Sequence, residues 1–279
     1  MMKKRLLIIT ALFSVSVAQN IWWVDLKNGN NSNAGSTEAT AFKTVHHALE
    51  SNTWSSGDTI KVKPSLTSDG TLSYYDFGND EINLNTSNDF VLMGTGGADI
   101  TIFDAEEKNR HFIFDDGQSS ETIIKGITFK NGYADNWPGA GSINLTNNTN
   151  IQFMDCIWES NSTNGQEGGG AIIIRDGSTP SFTGCTFEGN YVNNPDGGNN
   201  GGAVNIQWPN SKVDLENTVY FKKTKFINNY LKVKHSAYGG AVYSARNVDF
   251  ENCLFVNNRA IANNGGTGNE AWGGAILFE

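Results

Sequence analysis

The chain is short of proline, cysteine and basic charge. Only 5 prolines and 3 cysteines occur in 279 residues. Three cysteines cannot supply the disulfide framework of a small secreted scaffold. Lysine and arginine number 20 against 29 acidic residues. That deficit opposes binding to nucleic acid and electrostatic docking on anionic lipid. No apolar run is long enough for a membrane-spanning helix. Several catalytic and metal-binding signatures are missing: the G-G-x-G-x-D calcium nonapeptide, the P-loop, H-E-x-x-H and the Ser/His/Asp elbow. With so little proline, turns must be made by other residues. The chain has 31 glycines for this, and many asparagines besides. Low charge, abundant Gly and Asn, and plentiful Phe and Ile together predict many short strands joined by tight turns.

The N-terminus is separable. Lys3, Lys4 and Arg5 precede an apolar run from Leu6 to Val17, with Ser16 and Ala18 at the small-residue positions of a cleavage site. This order is that of a secretory signal peptide over 1–18, and the run is too short to span a bilayer. Removing it leaves 17 basic residues against 29 acidic ones, a formal charge of −12. The mature chain is expected to have no transmembrane helix.

Two motifs alternate through the remainder. The first reads Phe153-x-x-Cys156-x-Trp158-x-x-Asn161, then Phe182-x-x-Cys185-x-Phe187-x-x-Asn190, Phe221-x-x-Thr224-x-Phe226-x-x-Asn229 and Phe250-x-x-Cys253-x-Phe255-x-x-Asn258. A weaker copy, Ile124-x-x-Ile127-x-Phe129-x-x-Gly132, precedes them. The steps along the central column are 29, 29, 39 and 29 residues. The longer step holds the loop insertions "NNPDGGNN" and "WPNSKVDLEN". After each first motif comes a second: "GAGSI" at 139–143, "GGAI" at 169–172, "GGAV" at 201–204 and 239–242, and "GGAI" at 273–276. A repeat of this length with apolar residues at every second position suits one coil of a β-solenoid. Coils should stack as parallel strands, with Phe, Cys and Ala columns filling a narrow interior. Small-residue packing accounts for Cys156, Cys185 and Cys253 better than a disulfide does, because Ile127 and Thr224 share their column. The Asn column is expected to adopt the left-handed backbone and to stack as an amide ladder through Asn161, Asn190, Asn229 and Asn258.

The alternation of F-x-x-N with GGA[IV] resembles the repeats of polymorphic outer membrane proteins, and more broadly the right-handed parallel β-helix proteins. The resemblance covers about residues 121–279; the first copy departs from it at Gly132 and Ser142. It implies an all-β, pectin-lyase-like solenoid and an exported passenger, often adhesive and part of a longer polypeptide. The chain stops inside a strand at Glu279, which also suggests a longer protein. Residues 22–64 resemble the opening module of extracellular β-helix proteins. There, helical spacing of Phe42, Val45 and Leu49 predicts a short helix that covers the first coil, with His46 and His47 packed or solvated on it. The expected layout is a cap with early irregular coils over 19–100, then regular β-helix over 101–279.

Chemistry is sparse. Outward positions after the GGA motif offer a ligand face of Asn144, Asn205, Gln207, Trp208 and Tyr243, suited to sugar contacts or to an ordinary solvated sheet. Arg175 and Asp176 are the candidate catalytic pair; a surface ion pair or turn is the plainer reading. Asp115 and Asp116, before Gly117, are candidate ligands for calcium, with which the acidity is compatible; no other cofactor is expected, and a turn again competes. These residues predict a non-catalytic, secreted or surface-displayed interaction module whose partner is a polysaccharide or a ligand on a host or neighbouring cell. The alternative is a polysaccharide lyase or, less favoured, a glycoside hydrolase.

Overall fold

A computed structural model describes residues 19–50, 54–65, 75–76, 81–84, 86–165, 167–194, 199–208, 217–263 and 270–279. The signal-peptide reading over 1–18 lies outside the described residues. The fold is a right-handed single-stranded parallel β-helix. All paired strands run parallel, and neighbours within a sheet come from successive coils. The first sheet has eight strands, from Ile21–Val24 through Gln152–Met154 and Ser181–Thr183 to Val248–Glu251. The second has seven, from Tyr75–Asp76 through Ile157–Glu159 to Leu254–Val256, and the third has five, from Tyr133–Ala134 to Arg259–Ala262. The fourth has seven, from Ile82–Asn83 through Ile143–Leu145 and Ile172–Ile174 to Ile276–Phe278. A small fifth sheet joins Asn199–Asn200, Ala237–Tyr238 and Ala271–Trp272. No helix among the described residues is long and apolar enough to cross a membrane.

The repeat sets the register. Phe153 pairs with Phe182, Phe182 with Phe221, and Phe221 with Phe250. Their rings stack face to face at 5.1, 4.7 and 5.1 Å. A second column, Phe129, Trp158, Phe187, Phe226 and Phe255, stacks at 5.4, 4.6, 5.0 and 4.7 Å. The two columns meet edge to face, as at Phe182–Phe187, where the planes are 66° apart. Offset stacks and edge contacts each contribute about 0.5–1.5 kcal/mol beyond burial. Ile, Val and Leu of the fourth sheet close the core opposite them.

The Cys column shows why thiol and hydroxyl exchange. Cys156 Sγ lies 3.5 Å from the carbonyl of Ile124 and 3.4 Å from that of Met154. Thr224 Oγ1 donates to the equivalent carbonyls of Phe182 and Lys222 at 3.3 and 3.2 Å. From Cys156 onwards the position holds a small side chain carrying one donor, while Ile127 fills it in the first copy by apolar packing alone. All three cysteines are free, and burial pushes the Cys156 thiol up to about 12.

The asparagines form a continuous ladder. Asn161 Nδ2 donates to Asn190 Oδ1 at 2.9 Å, Asn190 Nδ2 to Asn229 Oδ1 at 3.0 Å, and Asn229 Nδ2 to Asn258 Oδ1 at 3.0 Å. Each Oδ1 also accepts the backbone N–H of the preceding rung, and Gly132 N begins the series at 2.7 Å from Asn161 Oδ1. One expectation needs correction. The left-handed conformation belongs to the residue before each rung: Asn131, Ser160, Gly189, Asn228 and Asn257, with φ between 52° and 62°. That residue turns the corner, so that the next one can point its amide inward.

At the opposite corner the second glycine of each pair has no room for a side chain. A Cβ on Gly170 would lie 2.2 Å from the carbonyl oxygen of Gly202, and one on Gly202 would lie 2.0 Å from that of Gly240. At the N-terminal end, the helix Val45–Glu50 buries Val45, Ala48 and Leu49 against the first coil. Phe42 precedes this helix and bridges to Val24, with the His47 ring 4.9 Å away.

Two expectations follow. Asn190→Ala strands the Asn161 N–H in the core, so it should lower stability by about 1–3 kcal/mol. Urea midpoints will measure this; a loss below about 1 kcal/mol would mean the ladder is incidental to stability. His111 is fully buried, with Nε2–H donating to the Phe103 carbonyl at 3.0 Å and Nδ1 accepting from the Ser142 hydroxyl at 2.9 Å. Burial pushes its pKa down to about 3. The unfolded chain therefore binds a proton that the folded one refuses. The stabilisation is complete above pH about 6.5 and is lost as pH falls towards the folded value, at up to about 1.4 kcal/mol per pH unit. Wild-type urea midpoints should fall more steeply over that window than those of His111→Gln. Equal slopes would refute the assignment.

Candidate functional site

The outer surface of the fourth sheet carries most of the polar and aromatic positions singled out in the sequence. Asn144 pairs with Ile113 and Ile173, and Asn205 with Ile173 and Tyr243, so they form one outward column. This column is not an open face. Asn144, Ile173, Asn205 and Tyr243 are all buried. The segments leading into the glycine motifs fold back across the sheet: Asn205 Nδ2 donates to the Glu167 carbonyl, and Gln207 Nε2 to Glu167 Oε2 at 2.9 Å. Tyr243 donates to Glu279, and burial together with that carboxylate raises its phenol pKa. The ligand-face expectation therefore fails for Asn144, Asn205 and Tyr243. Trp208, just past the strand Val204–Ile206, is 54% exposed.

The rim of the first regular coils holds the densest constellation. Segment 135–138 precedes the first glycine motif and is pinned at two points. Arg110 donates to Asn136 Oδ1, while its guanidinium lies 3.0 Å from Glu81. Arg110 is itself buried, and burial, helped by the Arg175 charge, lowers its pKa against the opposing pull of Glu81 and Asp135. The guanidinium of Arg175 lies beneath the Trp137 ring, 4.6 Å from its centroid. A cation so placed contributes about 0.5–2 kcal/mol and fixes the ring plane. The Arg175 side chain is only 13% exposed and its Nε has no hydrogen-bond partner among the described residues, whereas Trp137 is 60% exposed. The indole is thus held from below and open above.

Arg175 and Asp176 form only a long ion pair. Their closest charged atoms are 3.9 Å apart, and Asp176 also accepts from the Thr146 hydroxyl in a left-handed turn. Asp115 lies in the register of Thr146 and Arg175 just after Phe112–Phe114; burial first, and Asp116 second, raise its pKa. Among the described residues, no group of three or more His, Cys, Asp or Glu could hold a metal ion. Arg110, Asn136 and Trp137 escape sequence reasoning because segment 135–138 has no counterpart in the other coils. The signal available was the departure itself, "NWPGAGS" in place of a plain GGA motif.

A further pair of rings stands at the far end of the same rim. Trp272, 53% exposed, lies across from Tyr238 in the small sheet whose strands precede the last three glycine motifs, with ring centroids 5.9 Å apart. Trp137 and Trp272 flank coils four steps apart, about 19 Å at the usual strand spacing.

No protein-family model matches the chain, and no curated protein does. Among solved structures, a rhamnogalacturonan lyase is similar at 13% identity with a TM-score of 0.41; the alignment covers 85% of this chain and 62% of that one. The chain thus spans less than two thirds of that structure's length.

Proposed function

We propose that the protein is an exported, non-catalytic β-helix that binds an extracellular polysaccharide along the outer rim of the fourth sheet. The Trp137 platform carries this reading. Its ring is exposed on one face and immobilised by Arg175 on the other. Sugar rings pack their C–H faces on such indoles, and fixing the ring beforehand lowers the entropic cost of binding. Trp208 and Trp272 extend the aromatic positions along the solenoid axis, a layout suited to a chain rather than a monosaccharide. Export and display at the cell surface are supported by the order of charge and apolar residues over 1–18 and by the resemblance of the repeats to polymorphic outer membrane proteins.

The competing reading is a polysaccharide lyase with Arg175 as its base. The same stacking that favours binding counts against it, since Trp137 covers the guanidinium that would have to reach the substrate.

Affinity electrophoresis of the chain from residue 19 onwards in gels containing plant, algal and bacterial polysaccharides tests both. Retardation by at least one polymer is expected, weakened about tenfold by Trp137→Ala, which corresponds to roughly 1.4 kcal/mol. No unsaturated product should build up in the ultraviolet. Retardation that survives Trp137→Ala unchanged, or turnover abolished by Arg175→Ala, would overturn the proposal.

A further inference from the structure

A separate concavity lies on the third sheet, away from the tryptophan rim. It has a volume of about 400 Å³ and is lined by Asn228, Tyr230 and Lys232 from one coil and by Asn257, Arg259 and Ile261 from the next. That volume is within the range of about 300–1,000 Å³ usual for ligand clefts. The backbone fixes its layout. Tyr230 pairs with Arg259 and Lys232 with Ile261, so the lining residues form a grid about 4.8 Å by about 6.6 Å on the outward side of two strands. Asn228 and Asn257 are the left-handed corner residues, with φ of 55° and 54°. They present their amides outward while the ladder asparagines beside them point in. Tyr230 is steadied by Tyr191, stacked 5.0 Å away with planes 4° apart.

The charge of the lining runs against that of the chain. Acidic residues exceed basic ones by nine overall, yet the concavity has two cations and no carboxylate. Several cations elsewhere are neutralised: Lys63, Lys108, Arg110, Lys130 and Lys222 each have an acidic group within 3.0 Å. Lys232 and Arg259 form no ion pair among the described residues. Two like charges set diagonally on one small grid repel each other, and an anion between them would relieve this. A guanidinium takes a carboxylate or sulfate through two parallel hydrogen bonds, an ammonium adds a point contact, and amides and a phenol suit hydroxyl groups.

We infer that this concavity is a binding site for the anionic group of an acidic saccharide. The negative charge of the rest of the molecule repels polyanions in general, so binding there depends on the local grid. The inference is independent of the tryptophan rim.

Isothermal titration of the chain from residue 19 onwards tests it, with polygalacturonate as a carboxylate source and dextran sulfate as a sulfate source. Unmodified dextran and polyglutamate are the controls. Binding to one or both anionic glycans is expected, weakening as salt rises. The Lys232→Gln, Arg259→Gln double variant should lose about tenfold in affinity. Both side chains are exposed, so its circular dichroism should match the wild type. Arg259→Lys should retain part of the binding and Trp137→Ala all of it. Whichever glycan binds names the anion. The inference falls if neither binds, if the double variant binds as well as wild type, or if dextran or polyglutamate binds equally well. Loss on Trp137→Ala would assign the anion to the rim and also overturn it.

Discussion

In this fold the N–H and C=O groups of one coil meet those of the next, so each residue sits directly over its counterpart about 4.8 Å away. Every other regularity depends on this spacing. It is close to the distance at which aromatic rings stack, so Phe153, Phe182, Phe221 and Phe250 can form one column without distortion. It is also close enough for primary amides to chain together, so Asn161 to Asn258 add a side-chain ladder beside the backbone one. The same spacing forbids as well as permits. Where two corners approach, the carbonyl of one glycine occupies the place where a Cβ on the one below would go, and the column admits nothing larger.

Because neighbours in space are equivalent positions in the repeat, much of the fold was legible as vertical alignment of the sequence. The inward Phe columns, the exchange of Cys with Thr at 224 and the Asn ladder could all be read this way. What could not be read was anything within a coil that does not repeat. Asn228-Asn229 and Asn257-Asn258 are doublets, and alignment alone cannot say which member turns the backbone and which enters the ladder; the structure gives the turn to the first. Alternation correctly put Asn144, Asn205 and Tyr243 outside the core. It could not show that the stretches before the glycine motifs return over them, since those stretches differ in every coil. The Arg110–Asn136 contact and the Trp137 platform over Arg175 lie in this unrepeated part, and of these residues only Arg175 was marked beforehand.

The division has a physical sense. Repeated positions satisfy the backbone and the core, and any change there is felt by two neighbours. Unrepeated stretches are free of that demand, and there the chain places the exposed indoles of Trp137 and Trp272, the first stacked over the largely buried Arg175. The exposed aromatic rings of the rim thus lie where stacking exerts least control.

The Cys/Thr column has one more consequence. Each of its donors serves a carbonyl of its own coil and one of the coil before, and asks nothing of the coil after. A duplicated coil would therefore arrive with its own hydrogen bonds already accounted for, as would a deleted one on leaving, in keeping with the nearest-neighbour character of solenoids. Such a molecule can change length in whole steps without redesign. The distance between Trp137 and Trp272 is set in units of one coil, so gaining or losing turns would change it without altering a single contact within a coil.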